Sequence, residues 1–135
     1  MINRGLFTSA SPHWATPRYL YSELDEEFHF NDDPCPLHCM VNGLSREWGT
    51  VTYCNPPYGR LVGLWIKKGY EEFLKGKTIV MLLPSRTDTK WWHDYCMKAT
   101  EIRFIKGRLY FNDGYGRAPF PSVIVIFKGE GREIE

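Results

Sequence analysis

The apolar positions of this chain fall into short, strand-sized runs separated by stretches with helical spacing. Thr16-Pro17 reads as a helix start, a hydroxyl cap followed by proline at the first helical position. Tyr19, Leu20, Leu24 and Phe28 then recur at helical intervals. Phe28-His29-Phe30 alternates and runs into Asp32-Asp33-Pro34, which predicts a short strand ending in a turn. Residues 51–54 predict a second strand, stopped by Asn55-Pro56-Pro57. Residues 61–75 predict a helix, with Gly76 as its stop. The run 78–83 is apolar almost throughout and ends at Pro84, the pattern of a strand covered on both faces, as in a helix-flanked parallel sheet. A further helix is predicted over 88–98, capped by Thr87 or Asp88, with strands at 101–105, 108–111 and 122–127.

Helices alternating with strands indicate α/β architecture. The last strands lack intervening helices, so the expectation is a mostly parallel sheet with an antiparallel edge. Residues 1–13 read as an N-terminal arm and 14–135 as one domain, which is what a chain of 135 residues has room for. Trp91 and Trp92 are adjacent, so on a helix they point about 100° apart and at most one faces the core.

Composition narrows the function classes. With 17 Lys+Arg against 16 Asp+Glu the net charge is +1, which excludes a histone-like binder and predicts local contacts to nucleic acid with a shallow salt dependence. No apolar run approaches the roughly 20 residues needed to cross a bilayer. Residues 1–13 carry no continuous apolar region, so no signal peptide is expected and the cytoplasm is the predicted location. Four cysteines, at 35, 39, 54 and 96, are then expected as reduced thiols. Cys35, His38, Cys39 and Cys54 have the ligand types for zinc, but small buried thiols suit the spacing better, and no metal is expected. The 5 Trp, 8 Tyr and 8 Phe exceed what so small a core needs and point to flat ligands such as bases.

The chemistry concentrates in Asn55-Pro56-Pro57-Tyr58, between a short strand and a helix. In open α/β sheets, ligands bind outside the carboxyl ends of strands. The Asn55 side-chain oxygen and the Pro56 carbonyl can together accept hydrogen bonds from one NH2 group. Two prolines stiffen the turn. Two acceptors on an exocyclic amine oppose delocalisation of its lone pair and make the nitrogen more nucleophilic. Tyr58 offers a face on which a planar base can stack. The bland counterpart is a strand-terminating turn with a packed tyrosine.

These segments, taken in order, resemble the phage-type (Dam-like) DNA N6-adenine methyltransferases, amino-methyltransferases that use S-adenosylmethionine. The resemblance rests on Trp14-Ala15-Thr16-Pro17 with its following helix, Phe30-Asn31-Asp32-Asp33-Pro34-Cys35, Asn42-Gly43-Leu44 leading to Trp48, and Cys54-Asn55-Pro56-Pro57-Tyr58-Gly59. It continues through residues 80–89 with Trp91-Trp92, Gly107–Phe111 and Pro121-Ser122-Val123, so it covers roughly residues 13–128. It implies a compact Rossmann-like methyltransferase fold, shortened after the first strand. It also implies that Asn55, Pro56, Pro57 and Tyr58 hold the target amine and base. Trp14, Thr16, Pro17, Asp33, Pro34, Cys35 and Asn42 would surround the cofactor, with Asn42 where the family usually has Asp. Arg86, Lys106, Arg108 and Arg117 are candidates for phosphate contacts, against a plain solvated rim.

Between Pro34 and Trp48 lie only thirteen residues, too few for the helix–strand–helix unit that many methyltransferases use to present an acid to the cofactor ribose. No acid occurs between Asp33 and Glu47. The leading expectation is methyl transfer to adenine N6 in DNA, single-stranded or with the base flipped from the duplex. Two alternatives stay open at this point. One is a descendant of the fold that has lost the cofactor and binds nucleic acid or protein; the other is an enzyme acting on RNA or on cytosine N4. A homodimer or an accessory subunit stays open as a source of further DNA grip.

Overall fold

The computed structural model describes residues 15–36, 42–111 and 116–130. The expected arm 1–13, and Trp14 beside it, lie outside the described residues. Helix α1 spans Arg18–Phe28, and a short helix α2 spans Asn42–Ser45. Strand β1 (Val51–Cys54) is followed by helix α3 (Val62–Phe73) and strand β2 (Thr78–Pro84). Helix α4 (Lys90–Asp94) runs into a 3-10 turn at Cys96–Lys98, then come β3 (Glu101–Phe104), β4 (Gly116–Arg117) and β5 (Ser122–Phe127). None of the described helices is long and apolar enough to cross a membrane.

The sheet has four strands in the order β1-β2-β5-β3. Only β1 and β2 pair in parallel, while β5 pairs antiparallel with both β2 and β3. The expected parallel majority is therefore corrected: two of the three pairings are antiparallel. The reason is that β5 inserts between two strands that point the same way, instead of adding to an edge. The apolar run that suggested a parallel strand reports only burial. Ile79 to Leu83 are all 0% exposed because both faces are covered, whichever way the neighbour runs.

Helix α1 also starts differently from the expectation. Pro17 is the cap residue, no side chain caps the helix, and the Pro17 carbonyl accepts from the N–H groups of Leu20 and Tyr21, both at 3.1 Å. Thr16 is thereby released for another role. At the other end His29 takes a left-handed φ of 58°, and its N–H donates to the Asp25 carbonyl. The predicted strand at 28–30 is in fact this helix exit. Pairing with β1 begins only at Asn31, whose N–H donates to Val51, and at the isolated parallel bridge Asp32–Thr52.

Helix α3 packs Val62, Trp65 and Ile66 onto the sheet, and Trp48 stacks on Trp65 with ring centroids 6.2 Å apart. Trp92 is buried and Trp91 half-buried, as their adjacency requires. The described polar groups of this core are few, and Glu72 is the most demanding, at 1% exposed. Its carboxylate accepts from Lys68 (2.7 Å), Lys75 (3.2 Å), Lys77 and the Trp48 N–H (3.3 Å). Lys77 in turn donates to Glu47 at 3.0 Å and to the Trp48 carbonyl. Burial opposes ionisation of Glu72, but the lysine hydrogen bonds outweigh it and hold the carboxyl down at about 2.

Because that value lies below the unfolded carboxylate range, Glu72 contributes stability that is complete above about pH 5 and drains away as pH falls toward 2. Glu72→Ala leaves Lys77 with only the exposed Glu47 and the Trp48 carbonyl in place of its buried partner, and should cost about 3 kcal/mol at pH 7. Thermal melts across pH 2–7 check both points: the difference between wild type and variant should close at the acid end.

Candidate functional site

The end of β1 is where the chemistry gathers. Asn55 follows the strand directly and is 2% exposed. Its Nδ2 donates to Thr16 Oγ1 at 3.1 Å, and the same Oγ1 is 2.5 Å from the Tyr53 hydroxyl. Thr16 thus serves as a joint between the approach to α1 and the end of β1, which explains why it does not cap the helix. Tyr53 is fixed in its turn by edge contact with Tyr21 and by Phe30.

A cavity of about 300 Å³ opens at this joint. It is bounded by Ala15, Thr16, Arg18, Tyr21 and Ser22 from α1 and its approach, by Asp33, Cys35 and Pro36, and by Tyr53 and Asn55 from β1. Three residues expected around a cofactor, Thr16, Asp33 and Cys35, therefore meet at one cavity together with Asn55 of the turn. Pro17 and Pro34 are buried beside it rather than among its lining. Asn42 opens α2, but its side chain lies outside the described residues. Helix α2 comes close to the wall through Gly43, where a Cβ would stand 2.6 Å from both the Pro34 carbonyl oxygen and the Trp65 ring.

Sequence reasoning missed Arg18, Tyr21 and Ser22. They stand at i, i+3 and i+4 of one helix, so the spacing that marked the apolar face of α1 also marks this second face. Cys35 is disulfide-bonded, against the expectation of four reduced thiols, whereas Cys54 and Cys96 are free and buried. Burial pushes both free thiols up, Cys96 to about 12, so neither is a ready nucleophile. Among the described residues no cluster of His, Cys, Asp or Glu could hold a metal ion.

Tyr58 departs from the open stacking face expected of it. It is 7% exposed, its hydroxyl donates to the Leu82 carbonyl at 2.9 Å, and its ring meets Phe111 and Phe120 edge-on at 6.3 and 5.3 Å. Those two phenylalanines belong to a hairpin closed by the Tyr110–Arg117 bridge and by the Ala118 N–H donating to Leu109. Exposure alternates along it: Leu109, Phe111, Ala118 and Phe120 face inward, while Arg108, Tyr110 and Arg117 face solvent. Arg86, Lys106, Arg108 and Arg117 are all exposed. Arg86 lies 5.7 Å from the Phe120 ring centroid and Arg117 6.0 Å from that of Tyr110.

Set against known proteins, residues 6–130 match the family model described as DNA N-6-adenine-methyltransferase (Dam). The chain belongs to this family. It is 30% identical over 106 residues to the DNA N-6-adenine-methyltransferase of Haemophilus phage HP1, covering 68% of this chain and 61% of that protein. It is 29% identical over 109 residues to the protein of the same name from Escherichia phage T1, covering 71% of this chain and 45% of that protein. The chain thus spans about half to three-fifths of the length of these two Dam-family relatives. No solved structure shows a significant match.

Within the cavity Asp33 is the charged group whose state matters most. Burial is the largest influence on it and Asp32 adds to the rise, while the Cys35 N–H at 3.3 Å and the charge of Arg46 work the other way; the carboxyl ends at about 6. The folded value lies above the unfolded one, so wild-type stability from the neutral carboxyl is full below about pH 4 and is lost as pH rises through 6. Asp33→Asn keeps an acceptor for Cys35 without the charge. It should stabilise the protein at pH 7.5 by about 1–2 kcal/mol, with the gain vanishing near pH 4 in denaturant titrations.

Proposed function

We propose that this chain is an S-adenosylmethionine-dependent methyltransferase that modifies the N6 amine of adenine in DNA. The observation that carries this reading is the meeting of Asn55, Thr16 and Asp33 at one cavity outside the carboxyl end of β1. The donor set suits the cofactor. A carboxylate stands where a sulfonium or ammonium group needs a counter-charge, tyrosine rings offer apolar walls, and Thr16 and Ser22 supply hydroxyls. The volume lies at the lower end for small-molecule sites. A Rossmann-like origin of the fold is supported by the ligand cavity lying at strand ends, not by strand direction.

When bound, the cofactor supplies an electrophilic methyl group on a positively charged sulfur. Thr16 fixes the Asn55 amide, and Asn55 and the Pro56 carbonyl accept the hydrogens of the target amine. Held by these two acceptors, the amine would keep its lone pair on nitrogen and available to the methyl group that the cofactor would supply, and the amine's surplus proton would pass to solvent. Catalysis on this account is positioning plus hydrogen bonds aimed at the reacting nitrogen. Asp33, in the cavity lining, would supply the counter-charge to the cofactor's positive group. Pro57 stiffens the turn, and Tyr58 ties it to β2 through Leu82; a stacking role for Tyr58 requires Phe111 and Phe120 to withdraw. The outward cations of the hairpin, with Arg86 and Lys106, would meet the phosphates. This reading puts the activity in the cytoplasm of a bacterial host, which the phage origin of the two relatives supports.

Asn55→Ala should lower methyl transfer by a hundredfold or more, while the cofactor dissociation constant stays within about threefold of wild type. Nucleoside mass spectrometry after incubation with DNA, RNA and mixed oligonucleotides reads the product directly. Wild-type rates in the variant would remove Asn55 from the chemistry. N4-methylcytosine or methylated RNA as the main product would replace the substrate assignment, and no cofactor binding by the folded wild-type chain would favour a binding module.

A further inference from the structure

The loop between α2 and β1 holds a cation that the reaction does not touch but that reaches the cavity wall through one intermediary. Arg46 donates to both oxygens of Asp32, Nη1 to Oδ2 and Nη2 to Oδ1, each at 2.9 Å. The same carboxylate accepts the Gly49 N–H and the Asp33 N–H, each at 2.8 Å. The Asp32 carbonyl accepts the Tyr53 N–H at 3.0 Å, so the residue is fixed through main chain and side chain together. Gly49 is required for this approach: a Cβ there would lie 2.8 Å from the Asp32 Cβ and 2.5 Å from Asn31 Oδ1. The next residue along is Asp33, whose carboxyl is oriented by the Cys35 N–H and lines the cavity.

We infer that Arg46, acting through Asp32, is a positioning residue that holds the Asp33 carboxyl in the wall of the cavity. A planar fork on a carboxylate fixes direction as well as distance, which a lysine cannot reproduce. Arg46 is half exposed and, as an isolated surface pair, would stabilise the fold little. Its consequence lies in what stands next to Asp32. The groups facing Asp33 are Asp32 from its own segment, Arg46 from the loop after α2, Tyr53 and Cys54 from β1, and Tyr21 from α1, while Arg18 of α1 lines the same cavity. Among the charges acting on Asp33, Asp32 opposes its ionisation and Arg46 favours it. Removing Arg46 therefore takes away the fork that fixes the direction of the Asp32 carboxylate and the charge that favours ionisation of Asp33, so that repulsion from Asp32 is less opposed.

The test uses the full chain, free of ligand, with the Asp33 carboxyl followed by carbon NMR from pH 3 to 9. The wild-type midpoint is expected near 6. Arg46→Gln should raise it by about half a pH unit or more, and Arg46→Lys should recover only the part of that shift that the charge supplies, not the part that the fork supplies. An Arg46→Gln midpoint equal to wild type, with the fold intact by amide spectra, overturns the inference. Should Arg46→Gln fail to fold, Arg46→Lys reads the same connection, since loss of the planar fork with the charge kept should broaden or displace the Asp33 signal; an unchanged signal overturns the inference too. A second arm rests on the cofactor reading above. S-adenosylmethionine binding by calorimetry should weaken roughly tenfold in Arg46→Gln, by analogy with loss of an outer partner in metal sites, with kcat at saturating cofactor within about twofold. A shifted Asp33 midpoint without any cofactor binding, in wild type or variant, upholds the role of Arg46 and overturns the cofactor assignment.

Discussion

The interaction on which the site depends most lies at the opposite end of the sheet from it. Glu72, at the close of α3, gathers Lys77 from the start of β2 and the Trp48 N–H from the approach to β1. A buried carboxylate tolerates such a place only when its oxygens are fully engaged, and that demand leaves little freedom in how the three segments meet. The Thr78 N–H donates to the Thr50 carbonyl next to this cluster, and the register Val51–Thr78 through Cys54–Met81 follows. Asn55 therefore leaves the sheet at a fixed height. What is set by charge at one end is read out as side-chain position at the other.

Much of the fold was legible because strand burial leaves a strong trace in sequence. The runs 78–83 and 122–127 were found almost to the residue, and α3 differs only at its ends. Strand direction left no such trace. An apolar stretch such as Ile79–Leu83 reports that both faces are covered, and says nothing about whether a strand 48 positions later, Phe127 opposite Ile79, runs with it or against it. The stretch 28–30 failed for a different reason. Alternation of Phe28, His29 and Phe30 imitates a strand, but the left-handed turn at His29 produces the same in-and-out pattern at a helix exit.

The site was legible in its residues more than in their states. Thr16, Asp33, Cys35 and Asn55 were all singled out and do come together, since each sits at an element boundary where a motif is easiest to read. Tyr58 was singled out too, yet whether its ring is open depends on Phe111 and Phe120, more than fifty residues away in the chain. Arg46 was invisible because its partner is chosen by a close approach at Gly49, a fact of tertiary geometry.

The insertion of β5 between β2 and β3 bears on how the molecule is assembled as it is synthesised. Strand β3 has no other partner within the described sheet, and β2 has β1 on its remaining side. Until residues 122–127 emerge, the nascent chain can close the β1–α3–β2 unit but must carry β3 and the inner edge of β2 unpaired. The strand that joins the two halves is made after both of them, so synthesis interrupted before it would leave adhesive edges on β2 and β3 in place of a finished sheet.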